Sequence, residues 1–241
     1  LVVISIIALL IGILLPALAI VRIKARQMQS NTHLRGIHQA MVTFAQGNRQ
    51  YFPGLDGEGK LVLASANPGT DQNGAVPRAR FSLLLRGGYF TGEYAISPHE
   101  SDTPWNASVG TITKDHHNYA LLALDLNNDA VKDANGRTSE WRDTLNSQAP
   151  AVSDRNTGAN ATTQVSSIWT TKDGGQWTGG VAYGDNHVEL ETTQVLANTR
   201  LGSGANVTSD NLFAQDNDAS AAAGNDAAMV YQDAATLTAQ D

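Results

Sequence analysis

LVVISIIALLIGILLPALAIVRIKARQMQSNTHLRGIHQAM, residues 1–41, decides how the remainder of the chain is read. From Leu1 to Val21 no residue is charged, and Ser5, Gly12 and Pro16 are the only interruptions of an aliphatic run. In helical form those residues rise about 31 Å, enough to cross the hydrocarbon core of a bilayer. A helix buried in a soluble core normally keeps a polar stripe, and this run has none. The expected surroundings are a membrane or an equally apolar assembly of neighbours. The side chains that would meet them include Leu1, Ile4, Ile7, Leu10, Ile11, Leu14, Leu15, Pro16, Leu18 and Val21. A cleaved signal peptide fits poorly, because the run exceeds the usual h-region and no basic segment precedes it. The chain begins at Leu rather than Met, which points to a processed or truncated product.

The helical pattern continues beyond the apolar run. Leu34, Ile37, Met41 and Phe44 follow at spacings of 3, 4 and 3, which places them on one face. Gly47-Asn48 supplies a C-cap and Pro53-Gly54 a turn. The expectation is a single helix of about 46 residues, near 70 Å long, apolar all round in its first half and one-sided in its second. Pro16 predicts a kink or local unwinding, since it removes a backbone hydrogen bond and clashes with the preceding turn.

Charge is as unevenly placed as hydrophobicity. The 241 residues carry 16 Lys+Arg and 23 Asp+Glu, a net of −7. Residues 1–50 hold five basic residues and no acidic one, so the other 191 carry a net of −12. Arg22, Lys24 and Arg26 form a basic collar directly after the apolar run. Taken alone, that collar would hold the rest of the chain on the cytoplasmic side of a membrane, whereas the polar, Asn/Thr-rich body suits an exported domain. Cysteine is absent, which excludes a disulfide scaffold, a thiol nucleophile and a thiolate zinc site. The acidic balance argues against nucleic acid as partner.

After residue 50 the predicted elements are short. They comprise a strand at Lys60–Ala64, a helix at Ala79–Arg86 capped by Gly87-Gly88, and strands at Tyr119–Leu124, Ala151–Ser153, Ser167–Thr171, Gly180–Tyr183 and Val188–Leu190. The last two form a hairpin through Gly184-Asp185-Asn186. The organisation expected is an assembly helix over 1–50, a globular head over 51–200 and an acidic Ala/Asp/Asn-rich extension over 201–241. Any strands in that extension are expected to pair only on assembly. The fold class is α+β, a long N-terminal helix packed on a small antiparallel sheet.

An apolar N-terminal helix carrying Pro16 and running into an amphipathic half, followed by a small αβ domain, resembles the type IV pilin superfamily. It is most similar to the major pseudopilins of type II secretion and their relatives in Planctomycetes-type bacteria. LLRGGYFTGEYAISPHES (84–101), APAVSDRN (149–156) and WTGGVAYGDNHVELE (177–191) look like the same group. The resemblance is close over 1–50 and loose over 80–192, and it does not cover the C-terminal extension. It implies a structural subunit that polymerises through its apolar helix into a helical filament of its own copies. It also implies an inner-membrane stage before assembly, a prepilin peptidase and assembly machinery as partners, and an extracellular or periplasmic filament as product. The aromatic first residue, the early glutamate and the basic leader of such families are not in the sequence; the resemblance implies that about half a dozen residues upstream of Leu1 carry the first two, with the leader before them holding the N-terminus in the cytoplasm. Gly175 stands where many relatives have His, and Asp185 is followed by Asn186 where they have Gly. Two alternatives accompany this reading: a minor or tip pseudopilin, and a membrane-tethered ligand- or calcium-binding protein.

Asp125, Asn127, Asp129 and Asp133 place side-chain oxygens at alternate positions, as a calcium loop does. The sharp-turn Gly is replaced by Ala130 and the closing carboxylate by Gly136, so an Asx-rich surface turn suits the same residues. The resemblance adds to the calcium reading, because major pseudopilins bind structural calcium in the globular domain. His116-His117 and His99 read as packing or surface residues. Asp185 and His187 share a strand face without a third ligand or nucleophile nearby. No catalytic motif is present in the sequence, and enzyme activity is not expected. Asn106, Asn160 and Asn206 begin N-x-[ST] sequons. Trp105, Trp141, Trp169 and Trp177 are expected to fill the core of the head.

Overall fold

Helix α1 runs from Val2 to Gly47, 46 residues in one uninterrupted element, or about 69 Å. The computed structural model describes residues 2–62, 74, 76–124, 141–159, 164–169, 176–197, 210–213 and 229–231. The helical assignment passes through Pro16, so the local unwinding expected there is absent. The C-terminus differs from expectation in detail. Asn48 and Gln50 both donate their backbone N–H to the Ala45 carbonyl, at 3.0 and 2.8 Å. The left-handed turn falls on Arg49 (φ 50°) and Gln50 (φ 72°) rather than on the glycine. Two non-glycine residues there cost about 1 kcal/mol or more each. Asn48 braces the turn, its Nδ2 donating to the carbonyls of Tyr51 and Leu55 at 3.1 and 2.8 Å.

Helix α2, Pro77–Arg86, begins two residues before the sequence-based start, since proline presets helical φ at the first turn. It closes as the Gly87 N–H returns to Leu83. Two 3₁₀ turns follow, at Gly92–Ala95 and Lys114–His116.

The strands are β1 (Tyr119–Leu122), β2 (Pro150–Asp154), β3 (Gly179–Tyr183), β4 (Val188–Glu191), β5 (Val195–Leu196), β6 (Asp210–Asn211) and β7 (Met229–Val230). Five of them form an antiparallel sheet in the order β4-β3-β2-β1-β7, and β5 pairs with β6 apart from it. Register is set by Tyr119↔Asp154, Leu121↔Val152 and Ala182↔Val188. The hairpin joining β3 and β4 turns at Asn186 with φ 68°, a conformation that Asn accepts as Gly does. Of the strands expected at Lys60–Ala64 and Ser167–Thr171, the described residues show isolated pairings: Leu61 bridges Leu55, and Ser167 bridges before a turn at 168–169, while 63–64 and 170–171 lie outside the described residues. The two short strands described within the last 41 residues pair within the chain itself. β7 joins the sheet beside β1, and Met229, Val230 and Tyr231 are buried there.

The second half of α1 lies on the sheet, over β3 with β2 and β4 beside it. Glycine makes this approach close. A Cβ on Gly180 would come within 2.5 Å of both Asn31 Oδ1 and Leu34 Cδ1. Leu34, Ile37 and Met41 are fully buried in that contact, and Phe44 lies at its margin, edge-on to Tyr89 at 5.7 Å. Phe52, Phe81, Leu121, Val152, Trp141 and Trp177 complete the core. Trp141 Nε1 donates to the Pro53 carbonyl at 2.7 Å and Trp177 Nε1 to that of Arg155 at 3.2 Å, so each indole is buried with its N–H satisfied. A long apolar N-terminal helix on a small antiparallel sheet is compatible with a pilin-like fold.

Candidate functional site

Every residue from Val2 to Arg26 is exposed. Fifteen large aliphatic side chains between Val2 and Ile23 retain 39 to 73 % of their surface. Ile4, Ile7, Leu10, Ile11, Leu14, Leu15, Leu18 and Val21 are among them, Pro16 is exposed on the same segment, and Leu1 lies outside the described residues. No face is polar. Covering such side chains gains about 1 kcal/mol or more each, on the order of 15 kcal/mol together. That rivals the whole stability of an ordinary domain, so an uncovered rod of this kind does not persist in water. By length and composition α1 is able to cross a membrane.

The collar follows directly. Arg22 and Arg26 are separated by four residues and share a face, while Lys24 points across the helix from both. All three are exposed and none makes an ion pair among the described residues. From Gln27 onward the helix meets the head, and the contact is polar before it is apolar. Ser30 Oγ is 3.0 Å from the Tyr119 hydroxyl and donates to Asp154 Oδ1 at 3.1 Å. Asp154, 1 % exposed, also accepts from Trp169 Nε1 and the Gly180 N–H, each at 2.7 Å on Oδ2. Burial pushes the Asp154 carboxyl above its ordinary range, and the three donors pull it back. One carboxylate thus ties α1, β2, β3 and the Trp169 turn together, and Ser30 carries the tie on to Tyr119 of β1. Sequence reasoning missed this group, and the only available signal was an Asp closing an otherwise small and apolar segment, APAVSD.

A second tie lies a few turns on. His38 is buried edge-on against Phe52 at 5.7 Å, and its Nδ1 donates to Asn186 Oδ1 at 3.2 Å in the hairpin turn. Burial lowers its pKa, so the ring is neutral at pH 7. Arg80, which the sequence offered only as part of a short helix, is fully buried. Its Nη1 donates to the Leu122 carbonyl at 2.6 Å and its guanidinium lies 5.0 Å from the Trp141 ring centre.

Where the head leaves the helix there is an open groove of about 610 Å³ between the α1 turn at Met28–His33 and the segment Glu93–Pro104. A smaller cleft of about 330 Å³ beside β4 is lined by Tyr183, His187, Glu189 and Glu191. His187 pairs with Asp185 and stacks on Tyr183 at 4.4 Å. His116 and His117 turn to different neighbours. His116 Nδ1 accepts from the Thr113 N–H at 2.9 Å at the end of a 3₁₀ turn, not on a strand, whereas His117 stacks on Phe81. Among the described residues no group of three or more His, Cys, Asp or Glu side chains is arranged to hold a metal ion. The calcium candidates Asp125, Asn127, Asp129 and Asp133 lie outside the described residues, as do Asn160 and Asn206. Asn106 is exposed, with Oδ1 accepting from the Ser108 N–H at 3.0 Å. Trp169 is buried with Trp141 and Trp177, and Trp105 is half-buried. In comparisons with known proteins, the chain matches no family model, no curated protein and no solved structure.

Proposed function

We propose that the protein is a structural subunit of a pilus-like or pseudopilus-like filament, held in a membrane by α1 before assembly and polymerised through the same segment afterwards. The carrying observation is the division of one helix. Fifteen aliphatic side chains of its first half are exposed on all sides, while its second half is locked to the head by Asp154, His38 and a glycine-lined sheet face. A helix apolar all round leaves lipid only when other apolar helices take the lipid's place, and copies of itself supply them. Contacts that repeat along an axis without closing a ring produce a helical polymer. The likeness of residues 1–50 to type IV pilins supports the same reading.

The test is electron microscopy and sedimentation of the full chain as detergent is withdrawn. Filaments are expected, and Leu10→Asp with Leu14→Asp abolishes them, each buried charge costing about 3 kcal/mol per subunit. Chains that stay monomeric in lipid and never polymerise would overturn the reading. They would favour a membrane-tethered or tip protein, for which the membrane-spanning length of α1 is the supporting observation.

A further inference from the structure

We infer that the groove at Met28–Pro104 receives the basic collar of a second copy of this chain, which sets the axial stagger between neighbouring subunits. The inference rests on the filament reading and adds the register to it. The groove is built rather than incidental. His33 Nδ1 bonds the Ile96 carbonyl at 3.1 Å, and its ring lies 5.0 Å from that of Tyr94. Tyr94 in turn lies against Gly36, where a Cβ would come within 2.6 Å of the ring. The floor of the groove is therefore held in place.

Its chemistry matches the collar. Met28 is 71 % exposed at one end, an apolar side chain continuing the bare segment of α1. Glu93 is exposed at the rim, and its carboxylate makes no ion pair among the described residues. Glu100 lies in the wall with one oxygen committed to Arg155 and the other, Oε2, buried without a partner. The collar carries three cations and residues 1–50 contain no acid, so the carboxylates it can meet belong to a head. Glu100 Oε2 is closed off within the wall, so the carboxylate that meets the collar of a neighbouring copy is Glu93 at the rim.

Helix geometry makes the register quantitative. The collar centres on residue 24 and the groove floor on about residue 30 of the same helix. A parallel neighbour whose collar reaches the groove is displaced by six or seven residues, about 10 Å at 1.5 Å per residue. At that offset most of the apolar segment still overlaps its counterpart, so the charge contact and the apolar contact are compatible.

Because the chain has no cysteine, the contact is open to a clean crosslinking test. Full-length Lys24→Cys and Glu93→Cys variants with tags of different size are mixed, assembled and oxidised. Ile4→Cys with Leu10→Cys, six residues apart in the apolar segment, serves as reference. Heterodimers bridging 24 and 93 are expected only in assembled material. Charge reversal gives an independent reading. Glu93→Lys is expected to raise the concentration needed for assembly by about two- to fivefold, as loss of an exposed pair does, and Lys24→Glu in the same chain to restore it. Filaments that crosslink at the reference pair but not at 24–93, or that ignore Glu93→Lys, overturn the groove contact and leave the filament reading intact. Absence of any assembly overturns both.

Discussion

The two halves of α1 share one backbone and opposite surroundings. Between Val2 and Arg26 every residue is exposed, and none of the described residues of the head covers the aliphatic side chains there. Between Gln27 and Gly47 the same helix buries Leu34, Ile37, Ala40, Met41 and Ala45, and carries polar anchors at Ser30 and His38. The first half has only undirected hydrophobicity, which suits contacts repeated on all sides. The second has a single face and directed hydrogen bonds, which suit one fixed partner. On the proposed filament reading, assembly and folding fall to different lengths of one helix, and a perturbation in one should leave the other intact.

The strongest way to break that separation is through the buried carboxylate. Asp154→Ala leaves Trp169 Nε1 and the Gly180 N–H without an acceptor in a buried site and Ser30 with the Tyr119 hydroxyl alone, an expected loss of about 3–5 kcal/mol in unfolding free energy. Asp154→Asn keeps one oxygen for the Trp169 and Gly180 donors and donates an amide N–H to Ser30 Oγ, so it should cost a minor part of that. Denaturant unfolding of the two variants checks the ranking. Equal losses would mean that the charge of the carboxylate, which Asn lacks while keeping its volume, ties the helix to the sheet.

A matched pair of truncations sharpens the comparison. Leu34→Ala removes a fully buried side chain beneath α1 and is expected to cost about 2–5 kcal/mol of head stability. Leu14→Ala, on the exposed half, should change it by less than about 0.5 kcal/mol and act on assembly instead. Melting curves and filament yield measured on both proteins give the answer. A head destabilised by Leu14→Ala would show that the bare segment folds back in solution.

How far the sequence already announced this division follows from which signals are local. Apolar residues without interruption from Leu1 to Val21, and Leu34, Ile37 and Met41 at helical spacing, state both halves directly, because a helix face is fixed by residues three and four apart. The strands at 150–154, 179–183 and 188–191 were legible for the same reason, each bounded by Gly, Asp or Asn turns. Ser30, Asp154 and Trp169 were not. They meet across separations of up to 124 residues, and each alone is an unremarkable polar or aromatic residue. Met229 and Val230 hid equally well, two apolar residues in an Ala/Asp-rich tail whose role appears only when β1 is found to have a free edge beside them. The groove depends on Gly36 and Tyr94 packing from distant segments, and no spacing rule reaches that far.

The last effect depends on acid, and it belongs to the head alone. His117 is fully buried, stacked on Phe81 at 4.8 Å and edge-on to Tyr231 at 5.2 Å, with neither ring nitrogen hydrogen-bonded. Burial, with Arg155, Arg78, His116 and Arg80 nearby, pushes its pKa down to about 3. In the unfolded chain the ring titrates near its ordinary value of about 6.5. Between those values the unfolded state binds a proton that the folded state refuses. Stability from this group is therefore full above pH 6.5 and is lost as pH falls toward 3, at up to about 1.4 kcal/mol per pH unit. His117→Phe keeps the stack, gives up no hydrogen bond and removes the proton. Urea unfolding between pH 4 and 7 should show equal or greater stability at neutral pH and a pH slope lower by about one proton. Glu100 and Asp154, whose pKa values burial raises, act in the opposite sense and are common to both proteins, so they cancel in the difference. An unchanged slope would mean that His117 reaches water or a partner in the folded chain. Residues 1–32 contain no Asp, Glu or His, so the bare half of α1 has nothing to titrate in this range and acid should loosen the head before it affects the rod.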